Sequence, residues 1–286
     1  MPAKYRLGAL DLAIISDGTF FQDAGAVFGI VPRIMWEGYA GQLDERHRMS
    51  LALNSVVLRS QGKLVLIETG VGDKPRTGRD NATPADQGNL LADLAKLGIR
   101  PEEVDIVINT HLHFDHCGWN TRYLDGNLSL TFPNAEYLIT RAEWEAALNP
   151  NERTRATYLA ENLAPLRDSD HLHLIDGEHR VTDEITIVPT PGHSEGHASV
   201  VLSSRGETAV YIGDMAQAVV QLERTAWVSS FDILPLVSME TKKAIVERAI
   251  EQGQVIISVH APFPGVGRMT REGNFRKWVD LETEPA

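Results

Sequence analysis

Four short apolar runs in this chain each end in a side chain able to hold a metal ion, and that recurrence limits the available folds more than any other feature. Residues 104–108, Val-Asp-Ile-Val-Ile, lead into Thr110-His111-Leu112-His113-Phe114-Asp115-His116-Cys117-Gly118. Residues 185–189 lead into Thr190-Pro191-Gly192-His193, residues 208–212 into Gly213-Asp214, and residues 256–259 into His260. Short runs of this kind read as buried strands. A rigid sheet holds the loop at a strand end in place, and such loops often carry function. Four strand-then-ligand junctions can converge on one edge of a layered sheet.

The residue types fit metal chemistry. Imidazole nitrogen and carboxylate oxygen both suit zinc and similar divalent ions, and manganese, iron and cobalt accept the same donors. Alternate side chains of an extended segment share a face, so His111 and His113 can grip one ion together. Asp115 and His116 follow past the strand end and can turn toward a second. A Pro-Gly turn before His193 lets the backbone come close to an ion. His171 and His173 repeat the His-x-His spacing but lack the following Asp-His pair, so they read as solvent-facing. His47 and His179 sit in charged segments and read as surface. His197 reads as structural, or as orienting a ligand from behind, rather than as a ligand. Cys117 is the single cysteine, which excludes an internal disulfide. It reads as a small buried residue under the metal loop, the other readings being a soft ligand or a reactive thiol.

The remaining pattern is mixed α/β. Residues 9–16 read as a strand closed by a turn at Asp17-Gly18. Residues 51–59 and 63–68 read as a hairpin around Gln61-Gly62, and residues 75–88 as a polar surface loop. Leu90, Leu91, Leu94 and Leu97 have helical spacing, which Gly98 stops. Strands are expected at 137–139 and 172–175, and helices over 141–147 and 151–168. Residues 19–41 show no clean period; the segment reads either as irregular cover for the core or as a substrate-facing lid or dimer contact. The 286 residues are read as a single domain.

Thirty-nine acidic residues against 27 basic give a net charge of -12. That argues against a nucleic-acid partner, because phosphate binding needs a basic face. It leaves a small neutral or anionic substrate open, since bound cations would set the local field. No apolar run reaches the roughly 18 residues of a membrane span, and the N-terminus as given has no apolar signal core. The expected location is cytoplasmic.

At His-x-His-x-Asp-His 111–116, His193, Asp214 and His260, in that order, the sequence resembles the metallo-β-lactamase superfamily. More finely it is similar to lactonases of the YtnP type and to the methyl parathion hydrolase group. The segments carrying this are Thr131 to Ala135, Asn149-Pro150-Asn151-Glu152-Arg153-Thr154, Pro235 to Lys243 and His260 to Gly265. The resemblance implies a four-layer αββα sandwich with two divalent metal ions, zinc fitting best, at one sheet edge. It implies one ion held by His111, His113 and His193, a second by Asp115, His116 and His260, and Asp214 bridging them. The implied activity is hydrolysis of lactones such as acyl-homoserine lactones, or of activated esters, by a metal-bridging hydroxide, with Asp115 shuttling a proton to the leaving group. Organophosphate or aryl-ester hydrolysis is the alternative, followed by an iron-dependent sulfur dioxygenase or thioesterase; having both His116 and His260 favours the dinuclear hydrolase. A homodimer is a family-level expectation. Two departures stand out: Glu68 occupies the strand end where the family usually has Asp, and Met215-Ala216-Gln217 follows Asp214 where some lactonases place a Tyr. Phe20, Phe21, Met35, Trp36, Trp119, Trp227 and Phe231 are the candidate lining of an apolar substrate cleft.

Overall fold

A computed structural model describes residues 1–74 and 90–286, and the backbone alone of Thr83–Asp86. The loop expected over 75–88 lies mostly outside these residues, and its described part, Thr83–Asp86, is a strand and not loop. Two sheets face each other. In the first, strands run in the order Leu172–Ile175, Glu136–Thr140, Ile106–Ile108, Lys63–Ile67, Arg48–Ser60, Leu10–Asp23, Ala3–Leu7 and Glu284–Pro285, with Thr83–Asp86 pairing beside Leu10–Asp23. In the second the order is His179–Arg180, Ile185–Pro189, Ala198–Ser204, Glu207–Tyr211, Val255–Ile257, Val266–Glu272 and Phe275–Asp280.

Period-two alternation explains the layering. In Lys63–Ile67, Val65 and Ile67 point into the core between the sheets, where they meet Ile187, Val200, Tyr211 and Ile257. Leu64 and Leu66 point the other way, onto Leu90 and Leu94 of helix Leu90–Lys96, Trp144 of Arg141–Leu148 and Leu163 of Ala160–Arg167. Behind the second sheet, Val210 and Ile256 pack on Ile245, Val246 and Ala249 of helix Pro235–Gln252. Helix, sheet, sheet, helix is the αββα sandwich. Fully burying each such aliphatic contributes about 1.5–3 kcal/mol, so both faces of both sheets are committed to packing. Chemistry is left to the strand ends.

The centre of the first sheet is parallel: Lys63–Ile67 pairs parallel with Ile106–Ile108, which pairs parallel with Glu136–Thr140. Glu207–Tyr211 likewise pairs parallel with Val255–Ile257. The loops after these C-terminal strand ends are where open sheets of this kind place ligands.

Three expectations from the sequence are corrected. Asp17-Gly18 is not a turn: the strand runs on from Leu10 to Asp23, with a register shift between Ser16 and Thr19. The reason is the Asp17 carboxylate, which is buried and accepts from Val71 N, Gly72 N, Leu90 N and Trp119 Nε1 at 2.8–2.9 Å. Asp17 thus joins this strand to the loops beside it, with Gly18 absorbing the bulge at φ +93°. The helix expected over 151–168 exists only as Ala160–Arg167. Asn151 diverts the chain before it, its side chain accepting from Arg153 N and Thr154 N. Residues 19–41 are not irregular throughout: the strand ends at Asp23, Ala24–Phe28 is a short helix capped by the Asp23 side chain, and Arg33–Trp36 is another.

Candidate metal centre

The four strand-end junctions meet at one edge. Donor atoms of His111, His113, His193 and Asp214 lie within 4.8 Å of one another, as do those of Asp115, His116 and His260. Asp214 stands between the groups. Its Oδ2 is 3.2 Å from His193 Nε2 and 4.0 Å from His111 Nε2. Its Oδ1 is 2.9 Å from His260 Nε2 and 3.2 Å from His116 Nε2. Asp115 Oδ2 lies 3.6 Å from both His116 Nε2 and His260 Nε2.

Local chain geometry places each donor. Gly213, at φ +52°, packs so closely on His197 Nε2 and Thr110 Oγ1 that a Cβ would come within 2.6 and 2.7 Å of them. Asp214 N–H then donates to His197 Nε2 at 3.0 Å. His197 is therefore a buried support for the Asp214 backbone. Its other nitrogen contacts Thr190, and burial together with neighbouring His193 pushes its pKa down to about 3, which keeps it neutral and able to accept.

The donors fit a metal. His111 Nε2, His116 Nε2, His260 Nε2 and Asp214 Oδ1 are buried without a hydrogen-bond partner, which is costly unless a cation supplies one. On most of the rings the opposite nitrogen is engaged, fixing the tautomer as metal-binding histidines require. His116 Nδ1 donates to Glu68 Oε2 at 3.1 Å, His193 Nδ1 to Asp232 Oδ1 at 2.8 Å and His260 Nδ1 to the Ala52 carbonyl at 2.8 Å. His113 instead turns Nδ1 inward, 3.0 Å from His193 Nε2. Burial and the neighbouring imidazoles push the pKa values of His111 and His113 well down, leaving them neutral as ligands must be. Burial opposes charge on Asp214 too, but His260, His116 and His193 outweigh it and hold the carboxyl well below its usual range.

Glu68 replaces the usual Asp without losing the outer contact. One of its oxygens holds His116 and the other accepts from Thr110 N at 2.7 Å. The longer side chain is reached with the backbone at φ +66°, a left-handed conformation that is uncommon for Glu. Gln217, three residues after Asp214, donates from Nε2 to Asp214 Oδ2 at 3.0 Å and accepts from Ser229 Oγ at 2.9 Å.

No motif or period marks Asp232. It lies in an aperiodic stretch, is buried, holds His193 and accepts from Ser238 Oγ at 2.5 Å. Replacing Asp232 with Ala is expected to weaken metal binding about 10–100-fold, the usual loss for an outer partner of a ligating His. A chelator-competition titration reads this directly.

The candidate pocket residues separate. The Phe20 ring lies 5.5 Å from that of His260, and Phe231 lines a cavity of about 240 Å³ with His113, Arg153 and Thr157. The others are engaged elsewhere. Trp119 packs in the core with its indole N–H on Asp17. Trp36 stacks on Phe28 and Trp227 packs edge-on against the same ring, both buried. Phe21 lies under the Arg48 guanidinium, and Met35 is exposed. Cys117 is buried and hydrogen-bonded to the Leu112 and His113 carbonyls, with burial pushing its thiol pKa up. It packs beneath the loop. His173 is exposed, and His171 Nδ1 contacts the Ala135 carbonyl, away from the centre.

Fold and site together define a class of protein with an αββα sandwich and a His/Asp cluster able to hold metal at one sheet edge. The chain belongs to the metallo-beta-lactamase superfamily, whose sequence profile matches residues 51–258. An N-acyl homoserine lactonase of Bacillus cereus is 32% identical over 119 residues, 42% of this chain and 41% of its own length. The lactonase AttM of Azorhizobium caulinodans is 32% identical over 125 residues, 41% of this chain and 42% of its own. The matches thus span about two fifths of these curated relatives. Among solved structures, a probable metal-dependent hydrolase from Staphylococcus aureus superposes with a TM-score of 0.86 at 24% identity, covering 97% of this chain and 99% of its own. The dizinc quorum-quenching lactonase AidC, solved with a product, gives 0.81 at 20% identity, covering 98% and 97%. Among the described residues no helix is long and apolar enough to cross a membrane.

Proposed function

We propose that this chain is a dinuclear metal-dependent hydrolase that opens lactones of the acyl-homoserine type or cleaves similarly activated esters. The carrying observation is the Asp214 carboxylate, which presents one oxygen to each of two histidine groups. His111, His113 and His193 would hold one ion, Asp115, His116 and His260 the other, with Asp214 shared. Two divalent ions bound there, zinc suiting the donors best, would activate a shared water near neutral pH and polarise a carbonyl.

The chain's own groups do the rest. Asp115, almost buried beside His116 and His260, is placed to take a proton from the attacking water and pass it to the leaving oxygen. Glu68, Asp232 and the Ala52 carbonyl keep three imidazoles aimed inward. A cavity of about 270 Å³ lined by Tyr39, Met49, Leu51, Ala218 and Val220 opens beside His260 and suits an acyl chain. A larger cavity of about 660 Å³ also reaches His260, but Ser16, Thr19, Asp93 and Lys96 make it polar. We favour the smaller cavity for that reason.

The relatives named as homoserine lactonases support the lactone reading. The lack of a Tyr in Met215-Ala216-Gln217 after Asp214 supports a second reading, hydrolysis of aryl esters or phosphotriesters, in keeping with the resemblance to the methyl parathion hydrolase group. Such leaving groups depart without the help of a phenol. The deciding experiment is a turnover panel of acyl-homoserine lactones, aryl esters and a phosphotriester on protein of measured metal content. The expected result is highest kcat/KM on a lactone with a medium or long acyl chain. Fastest turnover of an aryl ester or phosphotriester would install the second reading, and no hydrolysis of any by metal-loaded protein would remove both.

A further inference from the structure

Glu143 lies in helix Arg141–Leu148, Arg-Ala-Glu-Trp-Glu-Ala-Ala-Leu, a run with no outward mark of function. Its side chain is nevertheless fully buried and accepts three hydrogen bonds. Leu112 N–H donates to Oε1 at 2.9 Å, from the peptide between His111 and His113. Ser194 Oγ donates to Oε2 at 2.5 Å, from the residue after His193. Tyr158 O–H donates to Oε1 at 3.0 Å, and the Tyr158 ring lies 5.0 Å from the His113 ring. One carboxylate therefore touches the two loops that carry His111, His113 and His193, together with the aromatic ring beside His113.

The helix and the second loop are also locked together through backbone. Gly196 lies against Glu143 so tightly that a Cβ would fall 2.1 Å from the Glu143 nitrogen. Thr140, whose side chain caps the helix, donates to the Gly196 carbonyl at 2.5 Å. The helix thus presents Glu143 from a fixed frame. Burial raises the Glu143 pKa, and the bonds from Ser194, Leu112 and Tyr158 work against that rise.

The second histidine group is supported by different parts. His116 is held by Glu68, and His260 by the Ala52 carbonyl. Neither support touches Glu143. Glu143 therefore braces the first half alone, whereas Glu68 and Asp214 reach both.

We propose that Glu143 is a positioning residue for His111, His113 and His193, setting the affinity of the metal ion they share and not that of its neighbour. The proposal rests on the dinuclear reading above. A side chain that ties two loops reduces the ordering entropy that metal binding must otherwise overcome, and it keeps three imidazoles converged before the ion arrives.

The test is a titration of metal-free protein with zinc against a chromophoric chelator, resolving each equivalent. In the unaltered protein two equivalents are expected; if none binds, the dinuclear reading itself fails, which is distinct from a failure here. Glu143→Leu is expected to weaken one equivalent about 10–100-fold and to leave the other within about threefold. Glu143→Gln should recover most of the loss: its amide oxygen accepts from Leu112 and Tyr158, and its NH2 donates to the Ser194 hydroxyl, which accepts as well as donates. Should Glu143→Leu not fold, Ser194→Ala, which removes a single bond of the brace, is expected to weaken the same equivalent alone. In a His113→Ala background, where that equivalent is already compromised, adding Glu143→Leu should leave the remaining one within about threefold. Equal weakening of both equivalents, no change in either, or a Gln variant as weak as the Leu variant would overturn the proposal.

Discussion

Replacing Asp214 with Ala is expected to abolish turnover and to weaken both metal equivalents together, whereas His113→Ala should weaken one. The contrast follows from the geometry. His113 faces a single group, while Asp214 gives Oδ2 to His193 and Oδ1 to His116 and His260. Without it no carboxylate stands between the two histidine groups, since Asp115 lies beside His116 and His260 alone, and two cations brought there lose the anion they share. Electrostatic stabilisation by a metal pair amounts to several kcal/mol, and about 1.36 kcal/mol corresponds to a tenfold rate change, so the loss in kcat should reach about a thousandfold or more. Elemental analysis beside the rate assay checks this. A variant that keeps both equivalents and loses only rate would show that Asp214 acts on substrate and does not bridge.

Chelation is the second large effect. Stripping metal from the purified protein should remove all hydrolysis and lower the unfolding temperature, and adding zinc should restore both. Four buried donor atoms without hydrogen-bond partners carry a desolvation cost that an ion would relieve. Free metal at about a hundred times its Kd adds about 2.7 kcal/mol of stability per site, and about 1 kcal/mol moves the melting temperature of a chain this size by about 2–4 °C. Two sites should therefore shift the transition by roughly ten degrees or more. Scanning calorimetry with and without chelator measures it; superposed transitions would contradict a structural contribution from bound metal.

Much of this centre could be read in the sequence because its donors are local to strand ends. His111, His113, Asp115 and His116 lie within six positions, and His193, Asp214 and His260 each follow an apolar run. Period-two patterning marks such runs without any knowledge of what lies across the interior. The supports were hidden for the opposite reason. Asp232 sits in a stretch with no period, and Glu143 sits in a short helix where several charges compete for the outward face. Its inward partners, Leu112, Ser194 and Tyr158, come from elsewhere in the chain. The bulge at Asp17 was hidden because a turn and a bulge use the same Asp-Gly pair, and the choice depends on partners more than fifty residues away. Strands Val266–Glu272 and Phe275–Asp280 are not legible because Arg, Lys and Glu interrupt their alternation; Arg271 and Arg276 pair with Glu247, and Lys277 with Glu272. Of the aromatic residues, sequence composition could not say which pack on one another. Phe28 gathers Trp36 and Trp227 into a cluster of their own.

If seven side chains drawn from four strand ends hold two cations with Asp214 shared, anomalous diffraction at the metal absorption edge, from crystals of the purified protein, will locate both. Two peaks are expected, one bonded to His111, His113 and His193, the other to Asp115, His116 and His260, with an Asp214 oxygen on each. A single peak, or two peaks that leave Asp214 bonded to neither or to one alone, would contradict it.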